Sequence, residues 1–214
     1  PDLILGLPAY TSYEQVGAII PLKARVAWVN QFIQAISFMH SRGVVARAFK
    51  PENVLLHSQQ TNGAPSSVLL KLQDVTLRNS VVFNESLRAT RFAEYPRDSS
   101  GDHRYCPPHV PSWETLPSKE LSQYVHACDI WAFGRTLGEI FLLGLPYVSC
   151  ANKRAVVQAQ KAGKHPFEPC SHLDQISPLL AVFFQGCTNP DYQERPTIHK
   201  VKLYWEYVQN DILS

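Results

Sequence analysis

Three residues of the kind that bind zinc lie close together in the segment HPFEPCSH. His165, Cys170 and His172 are the candidate ligands there, and imidazole and thiolate groups are the usual ligands of zinc in proteins. A structural zinc site needs four ligands, and no fourth residue stands at a suitable spacing. We therefore predict no bound metal at this segment, whose composition is that of an ordinary proline-rich loop.

The cysteines of the chain do not form close pairs. There are five of them, at positions 106, 128, 150, 170 and 187. An odd number at wide spacing in a chain of this size indicates reduced thiols rather than a disulfide framework. The first residues also lack the basic stretch and apolar core of a secretion signal. We therefore expect a cytoplasmic protein.

The elements that position functional residues follow from hydrophobic periodicity. Apolar residues recur at steps of three and four from 22 to 36, which predicts a helix over about residues 21–41. Three short apolar segments follow, at 44–45, 54–56 and 68–72. The polar loops between them are too short to hold helices, so these segments predict small β-ribbons laid on a helical body.

The second half of the chain predicts a buried helix and two amphipathic ones. The run DIWAFGRTLGEIFLL, residues 129–143, is apolar on nearly every side, as expected of a buried central helix. Amphipathic helices are predicted at 176–187 and 196–209, whereas 73–123 shows no sustained period and is predicted to be irregular. A length of 214 residues with 45% hydrophobic content suits a single domain.

Five segments, in order, resemble landmarks of the protein kinase family. SFMHSRGVVARAFKPENVLL resembles the catalytic loop, where the family has His-Arg-Asp-Leu-Lys-Pro-Glu-Asn before an apolar strand. The others are LLKLQDVTL for the Asp-Phe-Gly region, RYCPPHV for the end of the activation loop, HACDIWAFGRTLGEIF for the central helix, and CTNPDYQERPT for the closing Arg-Pro-Thr signature.

This resemblance implies a fold and a domain organisation. Residues 1–214 would form one domain, the mainly α-helical lobe of an α+β kinase fold, with a buried central helix and short β-hairpins. Residues 1–20 would be a hinge-like connector and 74–109 an activation-segment-like loop. No glycine-rich phosphate loop and no Val-Ala-x-Lys strand is visible. We therefore expect the small lobe to be absent.

The resemblance breaks where the family does its chemistry. The family's catalytic-loop Asp orients the substrate hydroxyl, and Ala48 stands in its place. Ala46 replaces the loop His, Thr76 replaces the glycine of Asp-Phe-Gly, and Arg47 is kept, either as a scaffold residue or to bind a phosphorylated residue. Loss of the base costs about 10² to 10⁴ in rate. These departures predict a pseudokinase without catalytic residues, which is not an enzyme.

Three polar residues remain at positions that the family uses for nucleotide and metal. Lys50 and Asn53 correspond to contacts with the transferred phosphate and a metal ion, and Asp74 to the main Mg²⁺ ligand. In the alternative interpretation, Asn53 satisfies backbone groups of the loop and Asp74 pairs with Lys50. We expect no cofactor beyond weak binding of ATP and Mg²⁺. A divergent Ser/Thr or Tyr kinase with residual phosphotransfer is the alternative function, and it requires an upstream small lobe.

Two further positions have a structural meaning in the family. Asp129 corresponds to the central-helix carboxylate that accepts hydrogen bonds from the catalytic-loop backbone, so we expect a structural residue. His109 replaces the Glu that forms a buried ion pair with Arg195, and an unpaired buried charge costs about 3–5 kcal/mol. We expect Glu114, Glu194 or His109 itself to compensate Arg195.

Charge and hydrophobic pattern bear on the partners. Lys and Arg number 20 against 18 Asp and Glu, a balance without the field that favours nucleic acid or an anionic membrane. No apolar run is long enough to span a membrane. We predict a scaffold or allosteric regulator that binds a protein partner, or a second copy, on the face that a missing small lobe would uncover. That face comprises Leu3, Leu5, Leu7, Val54 and Leu56.

Overall fold

The computed structural model describes residues 3–4, 20–46, 49, 53–59, 67–72, 81–82, 103–108, 118–167 and 172–214. Within these ranges the chain forms five short strands and six helices. The strands are β1 Leu3–Ile4, β2 Val44–Val45, β3 Val54–Gln59, β4 Ser67–Leu72 and β5 Val81–Val82. The helices are α1 Leu22–Ser41, α2 Ser118–Leu142, α3 Lys153–Lys161, α4 His172–Ile176, α5 Pro178–Cys187 and α6 Ile198–Leu213. The predicted mainly α-helical fold is confirmed.

Helix α2 is the centre of the fold. All residues from 127 to 138 are buried, because other elements cover the helix on every side. Gly134 and Gly138 allow this close packing: a Cβ at Gly138 would lie 2.3 Å from Phe167, and one at Gly134 would lie 2.7 Å from Thr188. Since atoms in a packed interior do not approach so closely, glycine is required at both turns of the helix.

Helix α1 joins the core to the β-hairpin. Its buried residues, among them Val29, Phe32 and Ile36, occupy one face at helical spacing. Strands β3 and β4 form an antiparallel hairpin in which Val54 pairs with Leu72, and β1 pairs with the outer edge of β3. The side-chain oxygen of Gln31 accepts a hydrogen bond from the backbone N–H of Leu70 at 2.7 Å, which fixes the hairpin against α1.

Helices α5 and α6 pack against α1 and α2 and complete the helical body. Each begins at a hydroxyl cap: Ser177 accepts from the N–H of Leu180, and Thr197 accepts from the N–H of Lys200. Trp205 of α6 is buried, and its indole N–H donates to Asn30 of α1 at 2.8 Å. The caps explain why both helices begin two residues later than the apolar pattern predicts.

Three expectations from the sequence are wrong in detail. Helix α2 begins at Ser118, well before the predicted start at 129, and α3 and α4 were not predicted. On the predicted partner face, Val54 is fully buried and cannot contact a partner. The other four side chains of that face lie outside the part that the structure describes. Among the described helices, none combines the length and apolar character that a membrane crossing requires.

Candidate functional site

The segment that resembles a catalytic loop leaves α1 through a tight turn. Gly43 adopts φ +66°, a left-handed conformation that glycine accepts without steric cost. The chain then forms β2, which pairs antiparallel with β5 through Val44 and Val82. After β2, Ala46 is buried, and its backbone N–H donates to Oδ2 of Asp129 at 2.9 Å. The start of the loop is therefore bonded directly to the central helix.

One carboxylate oxygen connects three elements at this point. Asp129 of α2 is fully buried, and its Oδ2 lies 3.0 Å from Nε2 of His40 near the end of α1, in addition to the bond from Ala46. A buried carboxylate is stable only when donors surround it. The family resemblance points to Asp129, but His40 was missed, although it lies in the Met-His pair that precedes the loop.

Two further residues of the loop, Phe49 and Asn53, are described by the structure. Phe49 is buried, and its ring meets Phe32 of α1 edge to face at 5.2 Å. Phe32 in turn contacts Phe133 of α2 at 5.3 Å. Asn53 is half-buried and stands directly before β3, whose first residue pairs with the last residue of β4. Asn53 therefore lies at the open end of the hairpin, where β3 begins and β4 ends.

The predicted site residues are not all within the described structure. Ala46 and Asp129 are in contact, and Asn53 lies at the base of the hairpin. Arg47, Ala48, Lys50 and Asp74 lie outside the described residues. The nucleotide and Mg²⁺ site expected at Lys50, Asn53 and Asp74 therefore stays a prediction.

Within the described part of the chain, Arg195 is hydrogen-bonded to backbone oxygens. It is buried, and its Nε, Nη1 and Nη2 donate to the carbonyl oxygens of Asn189, Ala127 and Pro190 at 2.7, 3.0 and 3.1 Å. Its guanidinium also lies 4.9 Å from the centre of the Trp131 ring, at cation–π distance. Glu194 is exposed, while His109 and Glu114 lie outside the described residues. The sequence did not predict the carbonyl partners, because backbone atoms of α2 and of the loop before α6 come together only in the fold.

A second buried arginine was not predicted. Arg135 lies inside the apolar central helix, donates to the hydroxyl of Tyr147 at 3.2 Å, and stacks 4.3 Å from the Trp131 ring centre. Burial lowers the pKa of Arg135 to about 10, so the group stays charged at neutral pH. Two guanidinium groups, Arg135 and Arg195, therefore contact one indole ring.

His126 lies beside the carboxylate centre. Its Nδ1 is 2.6 Å from the carbonyl oxygen of Ser122, and its ring meets His40 edge to face at 4.6 Å. Burial lowers the pKa of His126 below its ordinary value of 6.5. The two imidazoles and Asp129 thus lie together beside the start of the catalytic-loop segment.

These features define the large lobe of a protein kinase fold. A buried central helix holds the catalytic-loop segment by a carboxylate, and a short β-hairpin follows that segment. The model of the protein kinase domain family matches residues 9–205. The chain belongs to this family.

The relatives agree with this assignment. The probable serine/threonine-protein kinase fhkC of Dictyostelium discoideum is 27% identical over 79% of this chain and 25% of its own length. A putative mitogen-activated protein kinase kinase kinase 7-like protein of Drosophila melanogaster is 26% identical over 84% of this chain and 40% of its own. The solved structure of the Rad53 kinase domain and SCD2 in complex with AMPPNP superposes with a TM-score of 0.60 at 20% identity, covering 93% of this chain and 66% of that one.

The comparisons correct one expectation from the sequence. The departures at Ala46, Ala48 and Thr76 predicted a protein that is not an enzyme. The family is that of the protein kinase domain, and the relatives are named as serine/threonine protein kinases, which points to an enzyme. The prediction of a non-enzyme is therefore wrong. This chain spans well under half the length of the two relatives described above.

Proposed function

We propose that this chain is the large lobe of a divergent protein kinase that transfers phosphate from ATP to a protein hydroxyl at a low rate. The proposal rests on the contacts at the start of the catalytic-loop segment. There Asp129 accepts a hydrogen bond from the N–H of Ala46 and lies within hydrogen-bond distance of the His40 ring. A kinase needs this loop in a fixed place, because positioning contributes a large share of its catalysis.

The missing base lowers the rate without removing the reaction. The transition state of phosphoryl transfer is loose in most descriptions, so that the attacking hydroxyl needs little help in losing its proton early. General base catalysis contributes typically about 10² to 10⁴ in rate. A chain with Ala48 at the base position therefore keeps the part of the rate enhancement that comes from orientation and charge stabilisation.

The polar residues after Ala48 suit the remaining tasks. Lys50 would contact the phosphate that is transferred, and Asn53 and Asp74 offer the amide and carboxylate oxygens that Mg²⁺ prefers. The half-buried position of Asn53 at the base of the hairpin supports this assignment. Mg²⁺, when bound, neutralises charge on the phosphates. The protein residues would hold and orient the groups around it.

The test restores the base in the full-length protein. We expect Ala48→Asp to raise the rate of phosphate transfer to a generic protein substrate by about 10² to 10⁴, measured with radiolabelled ATP. Ala48→Asn is the matched control, since it has nearly the same shape and accepts no proton. Equal rates for the two variants, or no transfer by either, would contradict the proposal. The sequence encoded before Pro1 offers a second test, because a glycine-rich loop and a strand with Val-Ala-x-Lys are required.

A scaffolding or allosteric role is the second candidate function. It is favoured by several large apolar side chains that are exposed among the described residues, including Phe38, Val182 and Tyr207, since exposed apolar patches commonly mark interaction sites. The two candidates separate in cells that depend on this protein. Asn53→Ala should abolish phosphate transfer, and a signalling output that disappears with it would exclude a purely scaffolding role.

A further inference from the structure

The outer side of α5 and α6 carries an open apolar groove, and the described residues that line it do not belong to the catalytic-loop segment. Its volume is about 770 Å³, with walls formed by Leu179 and Val182 of α5 and by Tyr204 and Tyr207 of α6. These side chains are unusually exposed for their type; Val182 is 65% and Tyr207 70% accessible. At Gly186 a Cβ would meet no atom within 4 Å, so the groove is open there too.

The exposed residues of α6 form a stripe with a regular charge order. Lys200, Tyr204, Tyr207 and Asp211 follow one another at steps of four, three and four, so they lie within about 60° of one another around the helix axis. The stripe is about 16 Å long at 1.5 Å per residue. From the start of the helix to its end, the stripe therefore carries a cation, two aromatic rings and an anion.

The two helices that border the groove run antiparallel. The hydroxyl of Ser177, directly before α5, donates to the carboxylate of Asp211 near the end of α6. Lys200 lies at the opposite end, among the residues that line the groove near Gly186. The positive end of the α6 dipole lies beside Lys200 and the negative end beside Asp211, so the dipole reinforces the charge order.

We propose that this groove and stripe form a two-fold self-association surface, on which the α6 helices of two copies lie antiparallel. When the stripes of two copies lie antiparallel, Lys200 of each copy is opposite Asp211 of the second copy, and Tyr204 is opposite Tyr207. Both charges and both rings are then matched at once. A two-fold axis requires a patch that is complementary to itself, and this order of residues meets that requirement.

The apolar walls give the association its driving force. In the antiparallel arrangement the tyrosines of one copy lie against Leu179 and Val182 of the other, which removes exposed apolar surface from water. Tyrosine is well suited to such a contact, because its ring packs while its hydroxyl stays hydrated. Because association follows mass action, the dimer should form reversibly as concentration rises. This inference does not depend on whether the chain transfers phosphate.

Analytical ultracentrifugation of the 214-residue chain, with charge-reversal variants, tests the arrangement. The wild-type chain should pass from monomer to dimer as concentration rises. Lys200→Glu places two anions opposite each other and Asp211→Lys two cations, so each variant alone should be monomeric at the concentration where the wild type is dimeric. An equimolar mixture of the two variants restores opposite charges at both contacts, and it should dimerise.

Lys202→Glu is the matched control. It makes the same change in net charge as Lys200→Glu, but residue 202 lies roughly 140–180° around the helix from the residues of the stripe, so its dimer should persist. If Asp211→Lys loses its cooperative thermal transition, because the bond from Ser177 is gone, Tyr207→Asp replaces it and should be monomeric. A wild-type chain that stays monomeric at every concentration overturns the proposal. A dimer insensitive to both reversals, or a mixture that stays monomeric, overturns it equally.

Discussion

At the scale of single residues, two buried charged groups of this kinase lobe, Asp129 and Arg195, are bonded to backbone groups elsewhere in the chain. Asp129 accepts from a loop N–H, and Arg195 donates to carbonyls of three different residues. Family resemblance identifies such residues, because their types are specified by motif. It cannot identify their partners, because Ala127 and Asn189 contribute only backbone atoms, which every residue has.

His126 gives the lobe a pH-dependent stability. Burial lowers its pKa below 6.5, and the nearby charge of His40 acts in the same direction, while the Ser122 carbonyl and Asp129 oppose. Between the folded and unfolded pKa values the unfolded chain binds more protons, so the free energy of unfolding rises with pH there. We expect stability to fall as pH drops below about 6.5. Urea unfolding between pH 5 and pH 7.5 measures this.

The contribution of His126 is isolated by replacement. His126→Gln removes the titrating group, so the loss of stability between neutral and acidic pH should become smaller. His199→Gln is the control, because His199 is exposed on α6 and its removal leaves the buried cluster intact. If both variants keep the pH dependence of the wild type, burial of His126 is not its cause.

At the scale of elements, the sequence predicted those helices and strands that a clear apolar pattern marks. Helix α1 and strands β2, β3 and β4 lie within a few residues of their predicted positions, because an apolar stripe marks the helix and short apolar runs mark the strands. Helix α3 was missed because it buries little: Val156, Ala159 and Gln160 are its buried residues. The first part of α2 was missed because the polar residues between 118 and 128 hide the period, and only tertiary packing shows which of them face inward.

Close packing makes Gly138 of α2 essential, whereas Gly186 of α5 is replaceable. Gly138→Ala would put a methyl group 2.3 Å from the Phe167 ring. Overpacking of this kind costs about 1–3 kcal/mol, whereas alanine gains roughly 1 kcal/mol over glycine in a helix. We expect a net loss of up to about 2 kcal/mol in the free energy of unfolding, measured with urea.

The same substitution at Gly186 is the matched control. No atom lies within 4 Å of the position of its Cβ, so Gly186→Ala keeps the helix-propensity gain of up to about 1 kcal/mol without a clash. The two variants should therefore change stability in opposite directions. A loss at both positions would show that the contact with Phe167 is not what distinguishes them.

At the scale of the whole molecule, the chain supplies the kinase lobe that carries the catalytic-loop segment. The proposed reaction also needs ATP as its phosphate donor. Asn53 lies at the base of the hairpin. It is the one residue of the predicted Mg²⁺ site that the structure describes. The family motif predicted this residue from the sequence. Its oxygen can bind Mg²⁺ only where Asp74 and the phosphates of ATP complete the coordination, so nucleotide and metal binding should depend on each other.

This dependence is measurable as a shift in the thermal midpoint of the full-length protein. With a dissociation constant of about 1 mM and ATP at about 10 mM, binding stabilises the folded state by about 1.4 kcal/mol. For a domain of 150–250 residues this raises Tm by roughly 3–6 °C. We expect the shift with Mg²⁺ and a clearly smaller one with EDTA. Asn53→Ala should remove the difference between the two, whereas Asn210→Ala, at an exposed position on α6, should preserve it. A shift that is the same with EDTA, or the same in Asn53→Ala, would place ATP away from this hairpin and leave the proposed reaction without its phosphate donor.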